Sequence, residues 1–275
     1  MTWSSYGMMI YFLAFVLGAC VGSFLNVCIY RIPKGESIVS PRSKCRCGKM
    51  IPFYDNIPIL SWILLRGKAR CCGQAISPRY IIVETLTGLI FLSLFKVYGL
   101  TSSFVVSSIF CSILIVIAYI DFDTMEIYDA LSIGGMFVGF VCSMISPELM
   151  CEFSRYEAVK RSFIGACFGS GLMLWIAVLS EIIFKREAVG FGDVKLMGLI
   201  GAFTRVDGSM FSIFGGCLIG SVILVPLLLI KNFSKNKRIL KSREIPFAPF
   251  LVVGSISYTI FFNQTCSDML MYFSF

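Results

Sequence analysis

The chain has 275 residues, 57% of them hydrophobic and only 15% charged, with a mean hydropathy of +0.84. A water-soluble domain carries about 25% charge, so this balance excludes an ordinary soluble fold and implies a chain solvated largely by lipid. The net charge of +8 sits in loops between apolar runs, which points to anionic lipid and not to nucleic acid as the partner of the positive side.

The first apolar run, 8–30, has no basic residue before Arg31. It therefore lacks the positive leading region of a secretory signal and is expected to be a retained membrane helix. Residues 31–79 come next, with ten Lys and Arg against two acids, five prolines and the cysteines Cys45, Cys47, Cys71 and Cys72. This segment is expected to be a small irregular cytoplasmic domain, too short to bury much core and in need of a staple. The next run, 80–98, carries Glu84 about one turn from its start. Runs at 102–121, 130–147, 162–184, 194–204, 209–230 and 246–263 bring the expected total to about eight spans. The sixth is short enough to be a half-helix, which survives only where protein or a water-filled cavity covers its ends. The fold class is thus an all-α polytopic membrane protein. It divides into a first transmembrane helix at 1–30, a cysteine-containing domain at 31–79 and a transmembrane domain at 80–275.

Loop charges orient the bundle. Segment 231–245 holds six Lys and Arg against one acid, and 185–193 adds Lys185 and Arg186, whereas 99–101 is uncharged. With eight spans, the basic segments and the 122–129 link fall on one side, which is expected to be cytoplasmic. The apolar tail, 264–275, is expected on the membrane surface.

The chain has no histidine, which excludes Ser-His-Asp and Cys-His catalysis and every His-ligated metal site. Carboxylate, lysine and cysteine chemistry remain. Acids inside or at the edge of spans are costly and are functional candidates. Glu84 and Glu181 are two such acids, and Asp121, Asp123 and Asp129 cluster around the third and fourth spans. If the third helix continues, Asp121 and Asp123 point about 200° apart, so only one faces the bundle. Asp129 suits a cap for the fourth span. Asp193 closes Gly190-Phe191-Gly192-Asp193 and precedes an apolar run, which places it at a helix N-terminus. The two glycines let backbone approach closely, and a plain helix cap is the competing role for the aspartate. Two aspartates at one rim of a bundle suit aspartic proteolysis: the pair shares a proton, one member activates water and the other polarises the scissile carbonyl.

The order and spacing of several further motifs carry a resemblance. Gly22-Ser23-Phe24-Leu25-Asn26-Val27 precedes Tyr30-Arg31-Ile32-Pro33, and Pro41-Arg42-Ser43 leads into the cysteines. Tyr54-Asp55-Asn56-Ile57-Pro58-Ile59-Leu60-Ser61-Trp62 runs on to Gly67-Lys68, and Arg79-Tyr80 precedes Val83-Glu84. Gly190 to Leu196 and Ile245-Pro246-Phe247-Ala248-Pro249-Phe250 complete the set. The chain resembles the type IV prepilin peptidases, aspartic proteases of the GxGD kind in the bacterial inner membrane.

The resemblance implies catalytic Asp121 and Asp193 with Gly190 and Gly192 as supporting backbone. It implies prepilin or pseudopilin substrates cut after a glycine that follows a basic leader, with the active site at the cytoplasmic face. It also implies N-methylation of the new terminus with S-adenosylmethionine, for which Glu84 and the 31–79 domain are the candidates. The leader's basic residues would need anions, either lipid headgroups or acids such as Asp55, Glu36 and Glu187. Oligomeric state is left open.

Two departures from the family pattern stand out. Tyr128 replaces the usual proline before Asp129. The two CxxC pairs that suit tetrahedral zinc in many members are here Cys45-Arg46-Cys47 and Cys71-Cys72, with Lys44 and Ala69 at the usual first positions. Either zinc is held by shifted ligands or the thiols are unliganded. A proton-coupled transporter and a non-catalytic scaffold of a pilus or secretion machine are the alternative functions, and loss of leader cleavage on replacing either aspartate separates both from a peptidase.

Overall fold

The computed structural model describes residues 2–45, 47–185, 189–233 and 246–262. Arg186, Glu187, most of the basic segment 231–245 and the apolar tail lie outside the described residues. The described chain is all helix, apart from two isolated bridges, Lys44 with Met50 and Lys68 with Ala75. It forms two compact units, residues 1–116 and 117–275.

The first unit contains α1 (Thr2–Arg31), the short α2 (Leu60–Leu64), α3 (Arg79–Tyr98) and most of α4 (Ser102–Thr124). α1 and α3 touch backbone to backbone. A Cβ added at Gly18 would lie 2.6 Å from the Phe91 Cβ, and one at Gly22 would lie 2.8 Å from the Glu84 Cα. In lipid, apolar side chains gain little by leaving their surroundings, so close approach through small residues is what holds helices together. Phe104 of α4 then meets Phe91 and Phe95 of α3 edge-on, at 6.1 and 5.7 Å between centroids.

The second unit holds the end of α4 together with α5 (Asp129–Ile145), α6 (Arg155–Phe184), α7 (Phe191–Phe233) and α8 (Ala248–Phe261). α6 and α7 approach most closely of all. A Cβ on Gly201 would sit 2.0 Å from the Gly165 carbonyl oxygen, and one on Gly169 would sit 2.5 Å from the Met197 carbonyl oxygen. The buried Ser162 hydroxyl donates to the Ala202 carbonyl across the same seam. α7 breaks at Arg205, whose φ of 64° and ψ of −168° are not helical. That break lies between the predicted runs 194–204 and 209–230.

Among the described residues, five helical stretches are long and apolar enough to cross a membrane: Gly7–Lys34, Arg79–Tyr98, Ser102–Thr124, Arg155–Phe184 and Phe191–Pro226. Asp129–Ile145 and Ala248–Phe261 are shorter apolar helices. Each predicted run overlaps one of these seven stretches, but the sixth and seventh share α7, and five stretches, not the expected eight, have the length and apolarity of a crossing.

Candidate active site and cysteine cluster

One helix end and two helix starts build the acidic site of the second unit. α4 continues past the predicted end of its run to Thr124, so Asp121 and Asp123 stay helical. The expected opposition follows: Asp121 is buried and Asp123 is exposed. Asp193 is the third residue of α7, and its backbone N–H donates to the Gly190 carbonyl at 3.1 Å. Its side chain is buried and feels the charge of Asp121. Two carboxylates thus share one water-poor environment.

The partners of Asp121 matter as much as its burial. The Ala248 backbone N–H donates to its carboxylate. Ala248 is the first residue of α8, so this amide is one of the N–H groups a helix start leaves without an intrahelical partner. The oxygen Oδ2 of Asp121 is buried and has no hydrogen-bond partner. A buried acceptor left unpaired costs stability, so its persistence marks a site built for something other than stability. Sequence reasoning placed Ala248 in a motif and gave it no role. The signal was Pro249 at the second helical position, which fixes where α8 starts and hence where its unused amides point.

The two glycines of the motif differ. A Cβ on Gly192 would sit 3.0 Å from the Ile127 Cβ, so the loop after α4 packs onto this position. Around Gly190 the nearest heavy atoms are Asp193 Oδ2 and the Gly192 nitrogen, both 4.0 Å from a built Cβ. Gly190 therefore leaves open space beside the carboxylate. A groove lined by Leu174, Val178 and Glu181 of α6 and by Phe191 and Val194 of α7 flanks the start of this helix. Glu181, singled out from sequence, is exposed in that groove.

Asp129 does not cap α5. Tyr128 is the capping residue and makes no side-chain cap bond, while Asp129 is the first helical residue and pairs with Lys195. The pair is half-exposed and bridges α5 to α7.

In the first unit the four cysteines of 31–79 converge. Each pair rides on a tight turn closed by backbone bonds. The Gly48 N–H donates to the Cys45 carbonyl and the Gly73 N–H to the Ala69 carbonyl, both at 2.8 Å. Gly48 and Gly73 have φ of 86° and 68°, a region closed to most side chains. All four sulfur atoms lie within 4.8 Å of one another, with Cys45 to Cys72 at 3.5 Å and Cys47 to Cys71 at 3.3 Å. The Cys47 backbone N–H, followed by the Cys71 and Cys72 thiols, brings the Cys45 thiol down to about 7. Hydrogen bonding to Cys45, then to Cys47, pushes Cys71 up to about 12.

Glu84 and Asp55 are both engaged. The buried Glu84 carboxylate accepts the Ile59 N–H at 2.7 Å and a hydrogen bond from the Ser23 side chain. Asp55 grips Arg70 with both oxygens, at 2.9 to 3.2 Å, and its side chain is only 8% exposed. It is thus engaged by a basic residue of this chain.

Comparison with known proteins fixes the relationship. The family described as "Type IV leader peptidase family" matches residues 108–225, and the "Bacterial Peptidase A24 N-terminal domain" matches residues 16–98. A Klebsiella pneumoniae protein named "Prepilin leader peptidase/N-methyltransferase" is 32% identical over 197 residues, covering 69% of this chain and 82% of that one. The chain belongs to the type IV leader peptidase family. A Myxococcus xanthus protein of the same name is 38% identical over 216 residues, covering 78% of this chain and 62% of that longer protein. An Aeromonas salmonicida protein of that name is 29% identical over 271 residues, with 88% of this chain and 87% of the other covered. No solved structure matches. Asp121 and Asp193 lie in the leader peptidase match, while Glu84 and the four cysteines lie in the N-terminal match.

Proposed function

We propose that this multi-pass membrane protein cleaves the basic leader of type IV prepilins or pseudopilins after a glycine. Asp121 and Asp193 are its catalytic pair, working at the cytoplasmic face of the bacterial inner membrane. The observation that carries the reading is the burial of both carboxylates within electrostatic reach, with Asp121 Oδ2 unpartnered. Close carboxylates share one proton because both cannot ionise cheaply. The ionised member takes a proton from water, and the resulting hydroxide attacks the scissile carbonyl carbon. The protonated member donates to the carbonyl oxygen and stabilises the tetrahedral intermediate. As the C–N bond breaks, the proton taken from water passes to the leaving amine. The space beside Gly190 suits a glycine at the scissile bond, and the groove on α6 and α7 suits the apolar helix that follows it. Family membership disfavours the transporter and scaffold readings.

The second activity is N-methylation of the new terminus, the methyl group coming from S-adenosylmethionine. Glu84 contributes to it by positioning, because its carboxylate is already taken by Ile59 and Ser23.

Zinc fits the four cysteines. Tetrahedral thiolate zinc at about 2.3 Å per bond needs sulfur atoms about 3.8 Å apart, close to the spacing found. Cys45, Cys47, Cys71 and Cys72 would hold it, and its role would be to staple a segment with little core. One zinc per purified chain, lost in Cys47→Ser/Cys72→Ser, is the expected result. A metal-free native chain would end that assignment.

The test of the peptidase reading is cleavage of a prepilin in membranes by the native chain, Asp121→Asn and Asp193→Asn, with and without labelled S-adenosylmethionine. Loss of cleavage in both well-inserted variants supports the pair. Cleavage that survives either substitution removes that aspartate from the chemistry.

A further inference from the structure

The first unit ends its polar segment in an unusual way. α2 has only five residues, yet Leu60, Ile63 and Leu64 are 57%, 54% and 80% exposed. Phe53, Tyr54 and Ile57, just before it, are exposed as well. Single exposed apolar residues are ordinary, but a contiguous group marks a surface meant to be covered. Ser61 faces inward instead, donating to the Tyr54 carbonyl, and Trp62 lies along Gly67.

The depth of this group follows from one hydrogen bond. Glu84 is the sixth residue of α3, about 8 Å along the helix from Arg79 at 1.5 Å per residue. Its carboxylate receives the Ile59 N–H, so the start of α2 is level with the second turn of a helix long and apolar enough to cross a membrane. Ile59 has φ 63° and ψ −53°, and the Leu60 N–H reaches the Pro58 carbonyl at 2.6 Å. This is the rare positive-φ form of a γ-turn, which a β-branched residue adopts only under constraint. Glu84 supplies that constraint.

The chemistry around α2 matches a lipid boundary. Arg66 and Lys68 follow it directly and are both exposed. Tyr80 at the start of α3 and Tyr30 near the end of α1 are exposed, with Lys34 lying 3.5 Å over the Tyr30 ring. Aromatic rings and cations at the ends of crossing helices are the usual furniture of the headgroup layer. The whole segment 31–79 carries ten basic residues against two acids, complementary to an anionic leaflet.

We propose that residues 53–68 form an interfacial anchor. Phe53, Leu60, Ile63 and Leu64 enter the boundary between headgroups and acyl chains of an anionic leaflet, and Arg66 and Lys68 meet the lipid phosphates. The anchor holds the cysteine-bearing segment against the bilayer at a height set by Glu84. It rests on α1 and α3 crossing the membrane and is independent of the peptidase reading.

The test uses the full chain in vesicles of phosphatidylcholine, with or without phosphatidylglycerol. A benzophenone amino acid replaces Leu64, the sample is irradiated, and the adduct is identified by mass. The expected adduct is lipid, several-fold more abundant with phosphatidylglycerol. That excess is lost at high salt and in Arg66→Gln/Lys68→Gln. An adduct to another part of the chain, an adduct formed only with added prepilin, or no lipid adduct in either vesicle would overturn the anchor. Equal yields in the two vesicles would overturn the role given to Arg66 and Lys68. The same adduct measured in Glu84→Leu tests the height: it falls if Glu84 sets the position of α2 and stays unchanged if it does not.

Discussion

The second unit buries its carboxylates between helix ends, whereas the first buries Glu84 against a turn. Asp121 Oδ2 is buried with no partner among the described residues, and the charge of Asp121 acts on the buried Asp193. Glu84 spends its carboxylate on a backbone N–H and a side-chain hydroxyl. A buried acid that is satisfied holds a structure together, while one left partly unsatisfied is available for chemistry. The two units also differ in how they are framed. Glycine seams set the helices around the aspartates, whereas the cysteine segment depends on tight turns and side-chain bonds.

The largest expected effect would break this comparison most directly. Asp121→Asn and Asp193→Asn are each expected to slow cleavage by about 1,000-fold or more, the scale of a lost general acid or base. Because Asp121 Oδ2 is unpaired, Asp121→Asn is expected to leave the melting temperature unchanged or raised, as when function is relaxed for stability. A fall of several degrees on thermal unfolding would show that the carboxylate is structural after all, like Glu84.

Next comes the seam. Gly201→Val places a side chain where the Gly165 carbonyl stands 2.0 Å from the first added atom. Backbone cannot yield as a side-chain tip does, so the cost is expected to be at least about 3 kcal/mol. Detergent-solubilised variant should lose folded protein on heating well before the native chain. A native melting curve would mean that α6 and α7 are not in backbone contact.

Glu84 offers a sharper and smaller contrast. Glu84→Leu leaves the Ile59 N–H without its acceptor, worth about 1–3 kcal/mol. Glu84→Gln keeps an acceptor and should cost less. Limited proteolysis within 53–76 is expected to quicken for the leucine variant and hardly change for glutamine. Equal rates for both would place the importance of Glu84 in its charge, as for the aspartates.

The smallest effect belongs to the half-exposed pair of Lys195 and Asp129, a few residues from the proposed catalytic pair. Lys195→Ala is expected to change stability by about 0–1 kcal/mol, the usual range for a solvent-exposed ion pair. A large loss of cleavage in Lys195→Ala with normal stability would bring that lysine into the active site.

Much of this was legible in the chain. Apolar runs marked the helices to within a few residues, because lipid demands length and apolarity before anything else. The absence of histidine and the acids at helix ends narrowed the chemistry. The 3.6-residue period set Asp121 and Asp123 apart, since a helix that continues can turn only one of them inward, and the structure buries Asp121. The break in α7 showed as a gap between two apolar runs. Sequence had less to say where a residue's role depends on what lies opposite. Asp129 read as a cap and proved to be a partner of Lys195. Glu84 read as a methyltransferase candidate, and its contact with Ile59 lies 25 residues away. The altered cysteine spacing left ligands and idle thiols equally open, and only the two folded turns brought four sulfur atoms within 4.8 Å.

By itself, then, the sequence determined the helices, the membrane environment and the family, and it singled out the aspartates as candidates. These follow from composition, period and motif, which are local properties. Tertiary structure decided which acids are satisfied and which are left poised, that Ile127 packs onto Gly192, and that Ile59 meets Glu84. Each of those depends on an atom brought in from a distant part of the chain, and local pattern holds no record of that meeting.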